Sequence, residues 1–382
     1  MADTTPAGGG AAAGGASATA PETKRQRLHR SRRVLSEARK HLGHRALRLI
    51  GFLLFAYLVM KLLPGLEKAL TSLQNVKLQW VVGALAVETL SEMGYVVSWR
   101  GILDPDDLLH KEGRGRGLAG RVAWAQLGGG MVVPGGTLGS MGVGAWMLHR
   151  LGMPMDRVAE RQFVLMFLNS TVDGLAIVFF GFGLAIGLFG GASNLALTLL
   201  PAAVVAIGIA IALWVVARAD RLAKRFEAKR PRIAKAVTTL AAAVDGVRNM
   251  LAHRGSTKIV LGAIAYLGFD MAVLQGAFVA IDAHPVPTFA VTAMSYLVGG
   301  LFGSIPLPAN LGAVGGMVGV LTVYGVNGND ATAAVVLYQA IGYIVPLVGG
   351  GISYLFLRRR FGAMSDDESD GETPGGEAPQ PA

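Results

Sequence analysis

The chain has 382 residues, of which 52% are hydrophobic and only 16% are charged, and its net charge is +10. Its mean hydropathy is positive, and several apolar runs approach the roughly 20 residues that cross a bilayer. Because soluble domains carry about 25% charged residues, this composition excludes an ordinary soluble protein and predicts a polytopic membrane protein. The absence of cysteine from the sequence excludes disulfides and thiolate metal sites.

The segment 1–45 begins with a stretch rich in Gly, Ala, Pro and Thr and continues with clusters of Arg and Lys. It is predicted to be a disordered basic arm. An arm that binds single-stranded nucleic acid is an alternative, but the favoured interpretation places it on an anionic membrane surface. The first long apolar run begins near Ala46, too far along the chain for a cleavable signal peptide.

Six apolar runs are predicted to be membrane spans. They are residues 46–63, 80–99, 162–189, 194–217, 258–281 and 331–357. Basic residues concentrate in the arm, in 100–121, in 218–258 and in 358–360, whereas the loops on the other side hold only Lys68 and Lys77. The positive-inside rule therefore predicts that both termini lie in the cytoplasm. We expect the protein to lie in the cell membrane. The acidic segment 361–382 is predicted to be a disordered tail.

Two glycine-rich stretches are too apolar for loops and too broken for ordinary spans. They read V-P-G-G-T-L-G-S-M-G-V-G-A-W-M-L-H-R-L-G over 133–152 and L-P-A-N-L-G-A-V-G-G-M-V-G-V-L-T-V-Y-G over 307–325. The loops before and after each stretch lie on the same side of the membrane. Residues 121–150 must therefore enter and leave on the cytoplasmic side, and residues 287–325 must enter and leave on the opposite side. Each is predicted to be a hairpin of two short segments.

The two stretches align, with Gly139 on Gly312 and Gly142 on Gly315. The order around them is also shared: two spans, a hairpin and one span. We therefore predict two membrane repeats, 46–189 and 190–360, the second including a basic cytoplasmic segment at 218–257. Because one repeat begins inside and the other outside, their topology is inverted, a pattern that indicates a transport site near the midplane.

A broken helix survives in lipid only where protein or water supplies hydrogen-bond partners. The free N–H groups at the start of a half-helix can form a cradle for an anion. The candidate residues for binding a lipid phosphate are Pro134, Gly135, Gly136, Gly139, Pro308, Asn310, Gly312 and Gly315. The alternative is that these glycines only allow close helix packing.

Three carboxylates are predicted to lie in the middle of spans: Glu88, Asp173 and Asp270. A charge at this depth is costly and indicates a functional site; these groups could relay protons or hold a cationic head group. The alternative is a hydrogen bond between helices, and this alternative is favoured for Glu92, which is predicted to lie nearer the interface.

Zinc-protease, serine-hydrolase and P-loop motifs are absent from the sequence, and its seven histidines form no ligand pattern. We therefore expect no enzymatic activity, no metal and no cofactor.

Two passages carry a family resemblance. They are P-G-G-T-L-G with the following M-L-H-R-L-G-M-P, and I-P-L-P-A-N-L-G-A-V-G-G with the following Gly-Val corner, alanine-rich span and closing proline. With them the chain resembles, over about 45–360, the flippase-like family named after the transmembrane region of lysylphosphatidylglycerol synthase. The chain departs from the family's common pattern at three places. Ala309 and Asn310 stand where the family often has two glycines, and no glutamate follows Gly315 and Gly316 as it often does in the family. Ser140 stands where the family often has an acidic residue. These departures leave open a different lipid or a lost activity.

The resemblance implies the lipid-moving part of such proteins without the soluble aminoacyl-transferase domain. The expected function is translocation of a phospholipid or polyprenyl-phosphate-linked lipid between leaflets. The expected partners are membrane lipids, including anionic lipid at the cytoplasmic face, and not nucleic acid. The alternative is a scaffold or regulator that docks cell-envelope enzymes through its basic loops.

Overall fold

The computed structural model describes most of the chain between Val76 and Gly371. The described residues are 76–105, 109, 117–133, 136–190, 195–227, 230–252, 256–304 and 311–371. Over these ranges the regular structure is entirely helical. The predicted arm 1–45 and the predicted span 46–63 lie outside the described residues.

Five helices are long and apolar enough to cross a membrane. They are α1 (Leu78–Leu103), α4 (Met155–Ala185), α5 (Leu195–Val216), α8 (Ser256–Ala280) and α11 (Gly328–Gly371). Each coincides with one of the predicted spans, so this part of the prediction and the all-α membrane class are confirmed. α11 contains Pro346 and continues to Gly371, into the segment predicted as a disordered tail.

Four helices are too short to cross. They are α2 (Leu118–Val132) and α3 (Gly136–Arg150), of 15 residues each, and α9 (Phe289–Leu301) and α10 (Leu311–Val323), of 13 residues each. At 1.5 Å per residue they extend about 20–23 Å, less than a hydrocarbon core of about 30 Å. They form the two predicted hairpins, α2–α3 and α9–α10. Two further helices, α6 (Ala219–Glu227) and α7 (Pro231–Ala252), connect α5 to α8.

Helices α1 and α8 form an antiparallel pair along their whole length. The Lys77 N–H donates to the Ala280 carbonyl (2.9 Å) at one end, and the Ser98 hydroxyl donates to the Ile259 carbonyl (2.7 Å) towards the other. Gly94 and Gly262 face each other between them, and a Cβ on either glycine would lie 2.7 Å from the carbonyl oxygen of the other. Small residues thus let the two backbones touch.

The helix packing repeats. Helices α1, α2, α3 and α4 correspond to α8, α9, α10 and α11, in that order. In the first group α2 packs on α3 and on α11. In the second group the corresponding helix, α9, packs on α10 and on α4. Within the hairpins, Gly129 lies against Val143 in the first, and Gly299 lies against Gly316 in the second. Because α1 and α8 are antiparallel, the two groups of helices are inverted with respect to each other.

The hairpins open at opposite ends of the helix bundle. Arg161 at the start of α4 donates to the Leu103 carbonyl at the end of α1 (2.8 Å). At the same end, the Arg121 guanidinium at the start of α2 lies over the ring of Phe356 in α11. We call this end the basic end. At the far end of α4, Phe180 packs on Phe289 at the start of α9. Hairpin α2–α3 therefore opens at the basic end and hairpin α9–α10 opens at the other.

Candidate functional site

Three carboxylates are buried together in the middle of the bundle. Glu88 and Glu92 of α1 and Asp270 of α8 are 4%, 3% and 8% exposed. We call them the acidic cluster. In the part of the chain that the structure describes, each has one buried oxygen without a hydrogen-bond partner: Glu88 Oε2, Glu92 Oε2 and Asp270 Oδ1. Such oxygens are costly to bury, so they require an explanation beyond packing.

The α1–α8 pair creates this cluster. Glu88 and Glu92 are one helical turn apart and share a face of α1, and the antiparallel arrangement brings Asp270 to the same level. Both glutamates are near enough to Asp270 to repel it when ionised. Gly342 of α11 leaves room beside them, since a Cβ there would lie 3.7 Å from Glu88 Oε1.

Glu92 is not where the sequence interpretation placed it. That interpretation put it near the interface and favoured a hydrogen bond between helices. Helix α1 has 26 residues and runs from Leu78 to Leu103, so Glu92 lies within one turn of its centre. It is as deep as Glu88, and its Oε2 lacks a partner among the described residues.

Tyrosines from two other helices contact Asp270. The Tyr296 hydroxyl of α9 donates to Asp270 Oδ2 (2.6 Å), and the Tyr338 hydroxyl of α11 also interacts with this carboxylate. The Tyr296 and Tyr338 rings meet edge to face, with centroids 6.0 Å apart. Asp270 thereby links the second hairpin to the α1–α8 pair.

Asp173 occupies the edge of the site. It lies on α4, close enough to Asp270 for their charges to interact, but it is exposed at the bundle surface. The structure therefore brings together all three predicted mid-span acids, Glu88, Asp173 and Asp270, and adds Glu92 to them. Only Asp173 faces outward.

A second buried polar group lies towards the basic end, and we call it the glutamine cluster. Gln126 of α2 and Gln162 of α4 are 1% and 2% exposed. Gln126 Oε1 accepts hydrogen bonds from Gln162 Nε2 (2.8 Å) and Trp99 Nε1 (2.9 Å), and Gln126 Nε2 donates to the Tyr95 hydroxyl (3.0 Å). These bonds fix the first hairpin to α1 and α4.

The glutamine cluster was not predicted, although a periodic signal was present. Tyr95 and Trp99 follow Glu88 at spacings of seven and eleven residues, which puts all three on one face of α1. On α4, Gln162 precedes Asp173 by eleven residues. Each helix thus carries a polar stripe that connects the two clusters. The structure also explains the glycine at position 144, since a Cβ there would overlap the side-chain oxygen of Gln126.

Four of the eight predicted phosphate-cradle residues are described, and they lie at the starts of the returning half-helices. Gly136 and Gly139 lie in the first turn of α3, and Gly312 and Gly315 lie in the first turns of α10. Four others, Pro134, Gly135, Pro308 and Asn310, lie outside the described residues. The positions of the described glycines suit free N–H groups; binding of phosphate there stays a prediction.

Metal coordination has no support in the described ranges, where no group of three or more His, Asp or Glu side chains is placed to hold a metal ion. The carboxylates of the acidic cluster are arranged around tyrosines and a glycine instead.

Comparison with known proteins gives one result at the family level. No curated protein and no solved structure matches the chain. The model of the family described as the lysylphosphatidylglycerol synthase transmembrane region matches residues 48–350, which include both hairpins and every residue of both polar clusters. The chain therefore belongs to the family of the lysylphosphatidylglycerol synthase transmembrane region, as a membrane protein with a lipid-related function.

Proposed function

We propose that the protein translocates a phospholipid or a polyprenyl-phosphate-linked lipid between the leaflets of the cell membrane. It works without a chemical step, with its basic end and both termini towards the cytoplasm. The observation that carries the proposal is the acidic cluster, whose buried oxygens without a partner among the described residues lie in a bundle with two hairpins that open at opposite ends. A polar site at this depth, reached by broken helices from both sides, is the arrangement that secondary transporters use.

The hairpins supply the lipid phosphate with N–H groups. Helices α3 and α10, the returning helices of the two hairpins, begin at Gly136 and Leu311. The helix dipole and the N–H groups of the first turn favour a negative charge at each start. Both hairpins pack on α11. A head group that leaves one hairpin for the other would therefore move along α11 and past Gly342, beside Glu88.

The carboxylates supply the charge balance. Glu88, Glu92 and Asp270 are too close together to be ionised at the same time in a low-dielectric interior without a cation. A proton or a cationic head group arriving among them removes this repulsion, and its departure restores it. Asp173, exposed on α4, offers the route between the cluster and the bundle surface.

The experiment is lipid scrambling in reconstituted vesicles that contain a fluorescent phospholipid in both leaflets. An impermeant reductant bleaches the outer-leaflet lipid, and the further loss of fluorescence reports lipid that has crossed. We expect protein-containing vesicles to exceed empty vesicles for at least one anionic or polyprenyl-phosphate lipid. Crossing at the rate of empty vesicles for all tested lipids would contradict the proposal.

The alternative function, a scaffold for cell-envelope enzymes, would use the exposed basic surface of α6 and α7. It predicts that Asp270→Asn leaves function intact, while neutralising Arg221 and Lys224 of α6 abolishes it. Transport by the acidic cluster predicts the opposite pattern.

A further inference from the structure

A groove lies between α4 and α7, away from both polar clusters. It has a volume of about 520 Å³, within the range of small-molecule sites. Its lining combines an apolar floor with two cations: Phe163, Met166, Phe167, Ala236, Thr239 and Leu240, with Arg232 and Lys235. We call it the α4–α7 groove. Neither hairpin contributes to it, so the proposed transport function does not account for it.

The two cations stand together at the start of α7. Arg232 and Lys235 are three residues apart and therefore neighbours on the helix surface. Both are exposed, and neither forms an ion pair with another residue in the part of the chain that the structure describes. The N-terminus of α7 adds partial positive charge beside them. A single phosphate group would neutralise this site.

The apolar floor favours a phosphate that carries an apolar chain. Phe163 is 45% exposed, and Met166 and Phe167 continue the same surface along α4 towards the bundle middle. Asp156 and Glu160 lie on this face too, but nearer the start of α4 and outside the lining. Water-soluble phosphate would leave the aromatic floor uncovered, whereas an acyl chain would cover it.

The groove lies at the level of a membrane interface. Helix α5 packs on both α4 and α7. The Arg218 guanidinium, two residues after the end of α5, lies 4.7 Å from the centroid of the Trp214 ring on α5. Tryptophan and arginine at the end of an apolar span mark the boundary between acyl chains and head groups. Arg232 and Lys235 belong to the connecting helix beyond this boundary, and Phe163 and Phe167 belong to the span.

We infer that the α4–α7 groove is a binding site for one anionic phospholipid. Arg232 and Lys235 hold the phosphate, and Phe163, Phe167 and Leu240 hold an acyl chain. The bound lipid ties the connecting helix α7 to the span α4. This site does not depend on transport, and it binds lipid whether or not the acidic cluster moves any.

The experiment uses the full-length protein in phosphatidylcholine vesicles that contain a trace of phosphatidic acid with a photoreactive diazirine in its acyl chain. After illumination, mass spectrometry maps the labelled peptides. We expect label on the α4 peptide that contains Phe163 and Phe167 and on the α7 peptide that contains Leu240. Unlabelled phosphatidic acid should compete, whereas added phosphatidylcholine and glycerol 3-phosphate should not.

The decisive comparison uses two matched double variants. R232Q/K235Q removes both cations of the groove, and R221Q/K224Q removes two exposed cations from the neighbouring helix α6 with the same change in net charge. We expect labelling to fall about tenfold in the first, because it loses two charge-assisted contacts, and to stay at the wild-type level in the second. Both variants change exposed residues, so both should elute as the wild type does in gel filtration.

Three results would overturn the inference: unchanged labelling in R232Q/K235Q, an equal fall in R221Q/K224Q, or competition by phosphatidylcholine as strong as by phosphatidic acid. The second would show general attraction to a basic surface, and the third would show an acyl-chain groove without charge selection. Scrambling rates do not enter this comparison, so failure of the proposed function leaves its outcome intact.

Discussion

The acidic cluster and the glutamine cluster are both buried and both lie along α1, yet their hydrogen bonding differs. Gln126 exchanges hydrogen bonds with Trp99, Tyr95 and Gln162. Glu88, Glu92 and Asp270 each keep an oxygen without a partner in the described part of the chain. A polar group with its partners in place stabilises the fold, whereas one without them costs free energy. This difference indicates a structural role for the glutamine cluster and supports the functional role proposed for the acidic cluster.

The close approach of α1 and α8 at Gly94 supports both clusters, and we expect it to be the most sensitive to mutation. Gly94→Leu places side-chain atoms where α8 backbone atoms already lie, 2.7 Å from the ideal Cβ, and should separate α1 from α8. We expect a loss of several kcal/mol, roughly 3 or more, as overpacking and lost contacts combine. Thermal unfolding in detergent followed by circular dichroism measures it.

The matched control is Gly83→Leu on the same helix, where a Cβ would meet nothing within 4 Å. This variant should unfold near the wild-type temperature. Equal destabilisation by the two substitutions would mean that helix propensity, and not the α1–α8 approach, sets the effect.

The next largest effect should come from Gln126→Leu. This change leaves the Trp99 N–H and the Gln162 amide without their acceptor, at a cost of roughly 2–4 kcal/mol. The same thermal unfolding experiment measures it. A variant as stable as the wild type would show that the glutamine cluster is not structural and would remove the contrast between the clusters.

The acidic cluster should respond in the opposite direction. Glu88→Gln replaces a buried carboxyl group that has no cation beside it among the described residues, so we expect stability to be unchanged or to rise by about 1 kcal/mol. Asp270→Asn should behave similarly, because an amide oxygen still accepts from Tyr296. Unfolding temperatures clearly below the wild-type value would indicate that the carboxylates are structural after all.

The smallest effect is expected outside the bundle. Lys77 Nζ donates to Asp282 Oδ1 (2.7 Å), and this hydrogen bond lowers the pKa of Asp282 below its ordinary value. The stabilisation is therefore present above the ordinary pKa of an aspartate and lost as the pH falls through the lowered one. Both side chains are exposed, so Asp282→Asn should lower the unfolding temperature only slightly at pH 7 and not at pH 2–3. A difference that persists at pH 2–3 would contradict this assignment.

Much of the fold could be predicted because apolar length and glycine spacing are local signals. The five described spans and both hairpins appear in the sequence as runs and breaks, and the inverted order follows from the placement of Lys and Arg. The candidate acids could also be predicted, since Glu88, Asp173 and Asp270 interrupt apolar runs.

The contacts between helices could not be predicted in the same way. Which acids meet depends on the register of α1 against α8, and this register is set by Gly94 and Gly262, two glycines among 53. Gln126 lies in a hairpin arm whose depth is a tertiary property. Glu92 was misplaced because its depth depends on where α1 begins and ends, and helix ends are the least certain part of a sequence-based assignment.

The most direct test of the account is the initial scrambling rate of the double variant E88Q/D270N, measured beside wild type and D282N in vesicles with equal protein content. If the carboxylates of the acidic cluster carry translocation, E88Q/D270N should fold as stably as wild type but scramble at least about tenfold more slowly, while D282N keeps the wild-type rate. A folded E88Q/D270N protein that scrambles as fast as wild type would contradict the account.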